Sequence, residues 1–251
     1  MRAAVRAAFV RFSAPLEGVV PFLYCDVKGL VTTAIGVLVD PISAAVGLPW
    51  KRPDGSHASA GEVIVAWNRV KNRQDLRLKG GMAYQMVTDL RLDQAGIEEV
   101  VGRTLDRMDR QLAARFPDYP TWPADAQLAT LSMAWACGAH FRFPRLEAAL
   151  RAQDFLSAAV ECHISEEGNP GVKPRNLRNQ VLYRNASVVV GDSIDGERLW
   201  WPKDIWETPM LSPELGDEEA TPVQRIPWET VTRLPGSIAN DDTDDDPPEA
   251  A

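Results

Sequence analysis

Apolar residues recur with helical spacing along much of the chain. The clearest run is Ile97, Val100, Val101, Leu105, Met108, Leu112 and Phe116, which fall on one face of a helix over 97–116. Asp93 stands where it can cap that helix. Ser59 and Glu62 form a capping box ahead of Val63, Trp67 and Val70. Leu128, Leu131 and Trp135 mark a helix starting near Pro123, a favoured first-turn residue. Leu146 and Leu150, then Phe155 to Val160, predict two shorter helices, and Leu177, Val181 and Leu182 another. Ser13 is placed to cap a short helix ending at Glu17. One stretch differs: Tyr24 to Leu38 is β-branched, and Lys28-Gly29 interrupts it, which predicts a small hairpin. The expected fold class is α+β, mainly helical, with a small N-terminal hairpin ahead of a helical bundle.

Charge divides the chain. Residues 1–190 carry 23 basic and 19 acidic side chains, a net of +4, whereas 191–251 carry 4 and 16, a net of −12. The second segment also holds 8 of the 19 prolines and ends in an Asp-rich run. The domain is therefore expected over 1–208, with 209–251 an acidic, Pro-rich flexible tail. Trp206-Glu207-Thr208 recurs as Trp228-Glu229-Thr230, each closely preceded by an isoleucine. The plain reading is coincidence or two weak docking spots, and the rival is a partner-binding motif. No run of about 18 apolar residues is present, so no membrane span is expected. The body lacks the clustered basic stripe of a nucleic-acid binder. Cys25, Cys137 and Cys162 are expected to be buried, reduced thiols, and His57, His140 and His163 are too scattered for a metal site. No cofactor is expected.

The chemistry concentrates between Glu17 and Gly36. A helix end packed against a hairpin can aim Glu17, Asp26 and Thr32 into one cleft. Glycosidic cleavage needs two carboxyl groups in different environments. One stays protonated to serve the leaving oxygen, and the other stays ionised to hold water or meet the developing cation. Each residue has a plain structural alternative: Glu17 a solvated helix-end carboxylate, Asp26 a turn residue before Lys28-Gly29, Thr32 a strand residue, Arg175 a solvated helix-start cation, Trp135 core.

Glu17, eight residues, Asp26, five residues, Thr32 resembles the catalytic pattern of phage-type lysozymes, glycoside hydrolase family 24. Glu17-Gly18, Tyr24-x-Asp26, Gly29 and Thr32-x-x-x-Gly36 match the flanking residues. Met133 to Gly138 is similar to the family's apolar helix ending in glycine, and Pro174, Arg175, Arg178 and Tyr183 to its last, arginine-rich helix. The resemblance spans about 14–190, with an insertion-like segment near 41–58. Ala34 and Val37 stand where the family usually has Gly and His, and alanine would be strained if the backbone at 34 needs positive φ.

The resemblance implies a lysozyme-like fold and a muramidase that cleaves the β-1,4 link between N-acetylmuramic acid and N-acetylglucosamine. Glu17 would be the general acid, with Asp26 and Thr32 activating or holding water; a threonine placed to hold water argues separately for a wide carboxyl gap and inversion. Arg175 would orient Glu17, and Trp135 and Gly138 would line or shape the substrate side. The implied partner is the peptidoglycan glycan strand, met by a monomer. The implied role is phage lysis or virion wall penetration, from the host cytoplasm to the cell wall with holin help. A non-catalytic lysozyme-fold wall-binding or virion protein and a secreted interbacterial toxin are the alternatives.

Overall fold

A computed structural model describes residues 1–206. The chain is mainly helical, with one small antiparallel sheet. Helix α1 (Ala3–Glu17) leads into strands β1 (Val20–Cys25), β2 (Val31–Ala34) and β3 (Val37–Leu38), which pair in the order β1-β2-β3. The short α2 (Ser43–Val46) and α3 (Ala60–Lys71) follow, then two 3-10 turns, Gln74–Lys79 and Gly81–Tyr84. The bundle consists of α4 (Gln94–Arg115), α5 (Ala124–Cys137), α6 (Pro144–Arg151), α7 (Phe155–Glu161) and α8 (Lys173–Gly191). The predicted periodicities correspond to α4 to α8, although Leu177 faces solvent.

Local signals act as chemistry requires. Asp93 accepts from Gly96 N–H at the start of α4, and Ser59 and Glu62 close a reciprocal capping box on α3. α5 is buried on every side from Ala124 to Ala134 and forms the axis of the bundle. α1 and α8 both pack on α5, and α7 lies against α8. Thr130 and Tyr183 join α5 to α8 through a hydroxyl pair at 2.9 Å.

Three expectations need correction. Ser13 caps nothing: it lies buried inside a 15-residue helix that starts at Ala3, because the apolar face of Val5, Phe9 and Phe12 carries the helix back to there. The hairpin has a third strand, since the chain turns back at Ile35-Gly36 and Val37–Leu38 pairs with β2. Cys25 and Cys162 are buried, but Cys137 is exposed, because α5 reaches the surface in its last turn.

The segment near 41–58 is folded onto the domain. Trp50 is buried and donates to Ala45 O at 2.9 Å, and Lys51 bridges to both His57 and Arg91. Residues 194–206 form a strap across α5 and α8. The buried Asp125 carboxylate accepts from Trp200 N–H, Trp201 N–H and Asn185 Nδ2 at 2.8–3.1 Å. Ile205 is buried against Val188 and Val189, so the first Ile–Trp-Glu-Thr copy begins in a packed position. The second copy and the 209–251 tail lie outside the described residues. Among the described residues no helix is long and apolar enough to cross a membrane.

Candidate active site

Glu17 is the last residue of α1, and Gly18 leaves the helix at φ +75°. α1 is held by α8 from the side: Arg178 donates to the carbonyl of Phe12 at 2.6 Å and lies over the Phe12 ring. Arg175, one turn earlier on α8, pairs with Glu17 Oε1. Its other terminal nitrogen donates to Ser132 O at 3.1 Å and Ser132 Oγ at 3.0 Å on α5. The Arg175 side chain is 5% exposed and the Glu17 side chain 25% exposed. The predicted ion pair is therefore present, with Arg175 buried and Glu17 open to solvent on one side.

Two opposing influences act on Glu17. Burial pushes its carboxyl above the ordinary value, and Arg175 pulls it down by charge and hydrogen bond. Burial is the larger influence, so the net direction is upward. Arg175 is itself held below the usual arginine range by burial, and Glu17 works against that. This carboxyl holds its proton to higher pH than a free glutamate while a cation fixes its orientation.

Asp26 occupies the turn between β1 and β2. Its Oδ1 accepts from Lys28 N–H at 2.9 Å and Leu30 N–H at 2.8 Å, and Gly29 N–H donates to its carbonyl. The turn reading is thus correct for Oδ1. Oδ2 has no hydrogen-bond partner among the described residues. Gly29 has φ +78°, so its backbone favours glycine, while the end of the Gln74 side chain lies where a β-carbon would stand.

Thr32 is opposite Tyr24 on β1 and Leu38 on β3, and is 4% exposed. Its hydroxyl donates to Leu30 O at 3.1 Å. Tyr24 links the two carboxyl groups: burial first, then the charges of Glu17 and Asp26, push its phenol up to about 12. One ring thus lies in the field of both carboxyls and opposite Thr32. Gly36 closes the group, since a β-carbon on it would sit 3.8 Å from Glu17 Oε2.

The turn at Ile35-Gly36 is under backbone tension. Ala34 has φ +55° and Gly36 φ +85°. The expected strain at 34 is therefore present, at a cost of about 1–2 kcal/mol. Trp135 holds this turn, donating from its indole to Ile35 O at 3.0 Å while its ring packs 4.9 Å from Phe9. It serves as a latch between α5, α1 and the sheet. Gly138 ends α5 at φ +81° with open space around it, so its glycine answers to backbone conformation.

The sequence reading missed Ser132, whose carbonyl and hydroxyl hold Arg175 and which no local pattern distinguishes from other helical serines. It also missed Gly81, whose backbone lies against the Tyr24 ring. The Gly80-Gly81 pair was the available signal. Among the described residues no group of three His, Cys, Asp or Glu side chains is placed to hold a metal ion. No protein-family model matches the chain, and no curated protein matches it.

Proposed function

We propose that this protein is a lysozyme-like muramidase that hydrolyses the β-1,4 link between N-acetylmuramic acid and N-acetylglucosamine in peptidoglycan. The observation that carries the reading is Glu17: a helix-end carboxyl with its proton affinity raised by burial, oriented by Arg175, beside a hairpin bearing Asp26 and Thr32. A general acid needs that combination of a raised pKa and a fixed direction. The resemblance of Glu17, Asp26 and Thr32 to the phage-type lysozyme pattern supplies the substrate.

Glu17 protonates the departing glycosidic oxygen. Water attacks the anomeric carbon from the other side of the sugar. Asp26 Oδ2 accepts one proton of that water, while Oδ1 keeps the carboxylate aimed through Lys28 and Leu30 N–H. Thr32 already donates to Leu30 O, so its oxygen acts toward water as an acceptor. Water held by two acceptors presents its lone pair to the sugar, and the product is inverted. The role is phage lysis or virion wall penetration.

The test is lysis of permeabilised Gram-negative cells, with release of reducing sugar ends from purified peptidoglycan. Wild type should cleave, and Glu17→Gln should lose about 10²–10⁴ in rate. The Gln side chain can still accept from Arg175, so its Tm should stay close to wild type. Wild-type rates in Glu17→Gln refute the assignment. Wall binding by wild type without cleavage turns the reading to a non-catalytic wall-binding protein.

A further inference from the structure

The muramidase reading leaves one gap around the two carboxyl groups. Asp26 only accepts hydrogen bonds, and the Thr32 proton is committed to Leu30 O. Arg175 is turned to Glu17 and Ser132. The Glu17 proton is the one transferred. A glycan lying there presents hydroxyl, acetamido and ring oxygens, and these need a donor that is not consumed by the reaction.

Tyr24 meets that need. It is directly opposite Thr32 in the sheet and is half-buried. Among the described residues its hydroxyl has no hydrogen-bond partner, and it is not among the sealed-off polar atoms, so it reaches solvent. The ring is gripped from behind. A β-carbon on Gly81 would sit 3.2 Å from its Cδ2, 3.3 Å from its Cγ and 3.0 Å from Val20 Cγ2. A side chain at 81 would press the Tyr24 ring and Val20 aside by a few tenths of an ångström, so the bare Gly81 backbone packs closely against the ring. The 3-10 turn Gly81–Tyr84 thus works as a shelf under Tyr24.

We propose, on the basis of the muramidase reading, that Tyr24 is a substrate-binding residue whose hydroxyl donates to an oxygen of the glycan between Glu17 and Asp26, with Gly81 setting its position. A tyrosinate next to two carboxyl groups would be repelled by both, and the phenol keeps its proton through neutral pH. The donor is therefore constant across the working range and takes no part in proton transfer.

The experiment compares wild type, Tyr24→Phe and Gly81→Ala on purified peptidoglycan across pH. Tyr24→Phe keeps the ring and its packing, so its Tm should match wild type. It should lose about tenfold in kcat/KM, the worth of one donor to a ligand oxygen. The high-pH limb of its profile should stay in place, because Glu17 is untouched. Gly81→Ala carries no positive φ to strain, and it should lose activity in the same direction by displacing the ring. Wild-type kcat/KM in Tyr24→Phe overturns the proposal whatever Gly81→Ala does. A Tyr24→Phe loss that comes with a moved high-pH limb and an unchanged KM also overturns it, since the phenol would then act through Glu17. A wild type inert on peptidoglycan refutes the muramidase reading and this inference together, and the wild-type arm alone reveals that case.

Discussion

Replacing Arg175 by methionine separates the charge of the guanidinium from the bulk of its stem. The wild-type pair joins an arginine side chain 5% exposed to a glutamate side chain 25% exposed, and the same guanidinium holds Ser132 O and Oγ. A charge-assisted hydrogen bond of this kind is worth about 1.5–3 kcal/mol. Removing one partner of a fully buried pair costs about 3–5 kcal/mol. Glu17 keeps some contact with water, so about 2 kcal/mol is expected at pH 8. The cost must depend on pH. Burial already raises Glu17 in wild type, and loss of Arg175 raises it further. For a carboxyl raised in the folded state, stability falls as pH climbs from the ordinary glutamate value through the folded one. The destabilisation should therefore be smaller at pH 4.5 than at pH 8, because a carboxyl raised above the ordinary value takes up its proton first and then has less charge left to be paired. Urea unfolding followed by tryptophan fluorescence at the two pH values measures it, with an unchanged m-value marking a pure stability effect. In the lytic assay the descending high-pH limb should move to higher pH. A destabilisation equal at pH 4.5 and pH 8, with an unmoved limb, would refute the coupling of these two residues.

Asp125→Ala strips the acceptor from Trp200 N–H, Trp201 N–H and Asn185 Nδ2, and should cost about 3 kcal/mol. Hydrogen exchange should then rise first at residues 200–205, and protection unchanged there would mean the strap is held by its apolar contacts alone. Ala34→Gly relieves about 1–2 kcal/mol of left-handed strain, but it loses about 0.8 kcal/mol of methyl burial and about 0.4–1 kcal/mol to the freer unfolded chain. Its stability should lie within about 1 kcal/mol of wild type, and a gain above 2 kcal/mol would show that the turn stores more strain than its φ implies. Gly36→Ala should lose about 1 kcal/mol from its φ of +85°, yet retain activity, because the new methyl would meet Glu17 Oε2 at an ordinary 3.8 Å. Proton NMR of the first-formed product should show inverted configuration at the anomeric carbon, and a retained product would exclude the water-holding role of Thr32.

The elements that sequence made legible are those with a local cause. The 3.6-residue pattern from Ile97 to Phe116 marks α4 because one of its faces is wet and the other dry, and Asp93 and Ser59 signal helix starts through bonds to residues three positions away. Where the cause is not local, the same signals mislead or vanish. Ser13 has the chemistry of a cap but lies inside α1, where Phe9 and Phe12 already bind the helix to the core. α5 is dry on every side, so its periodicity identifies no face. Asp125, in the first turn of that helix, looks like any surface acid until Trp200 and Trp201 close over it. Residues 194–206, expected inside the domain, pack on the bundle through those contacts, which the acidic composition after 190 does not reveal.

The candidate site divides along the same line. Glu17, Asp26 and Thr32 fall within 16 residues, so their spacing is readable, and local chemistry explains most of their geometry: a helix end, an Asx turn, a strand pair. What makes Glu17 suitable as an acid is not local. Its raised proton affinity comes from partial burial at the end of α1, and its orientation from an arginine 158 residues later, itself held by Ser132 on a third helix. Spacing can name the groups that meet, while the environment that separates an acid from a carboxylate is made by the tertiary fold. The same holds for Tyr24, which feels the charges of both carboxyls and packs against the 3-10 turn at Gly81, 57 residues later. Residues such as Ser132 and Gly81 carry no chemistry of their own, yet they fix the direction of the groups that do. Substitution at these two positions should change activity more than stability wherever the new side chain fits the local backbone.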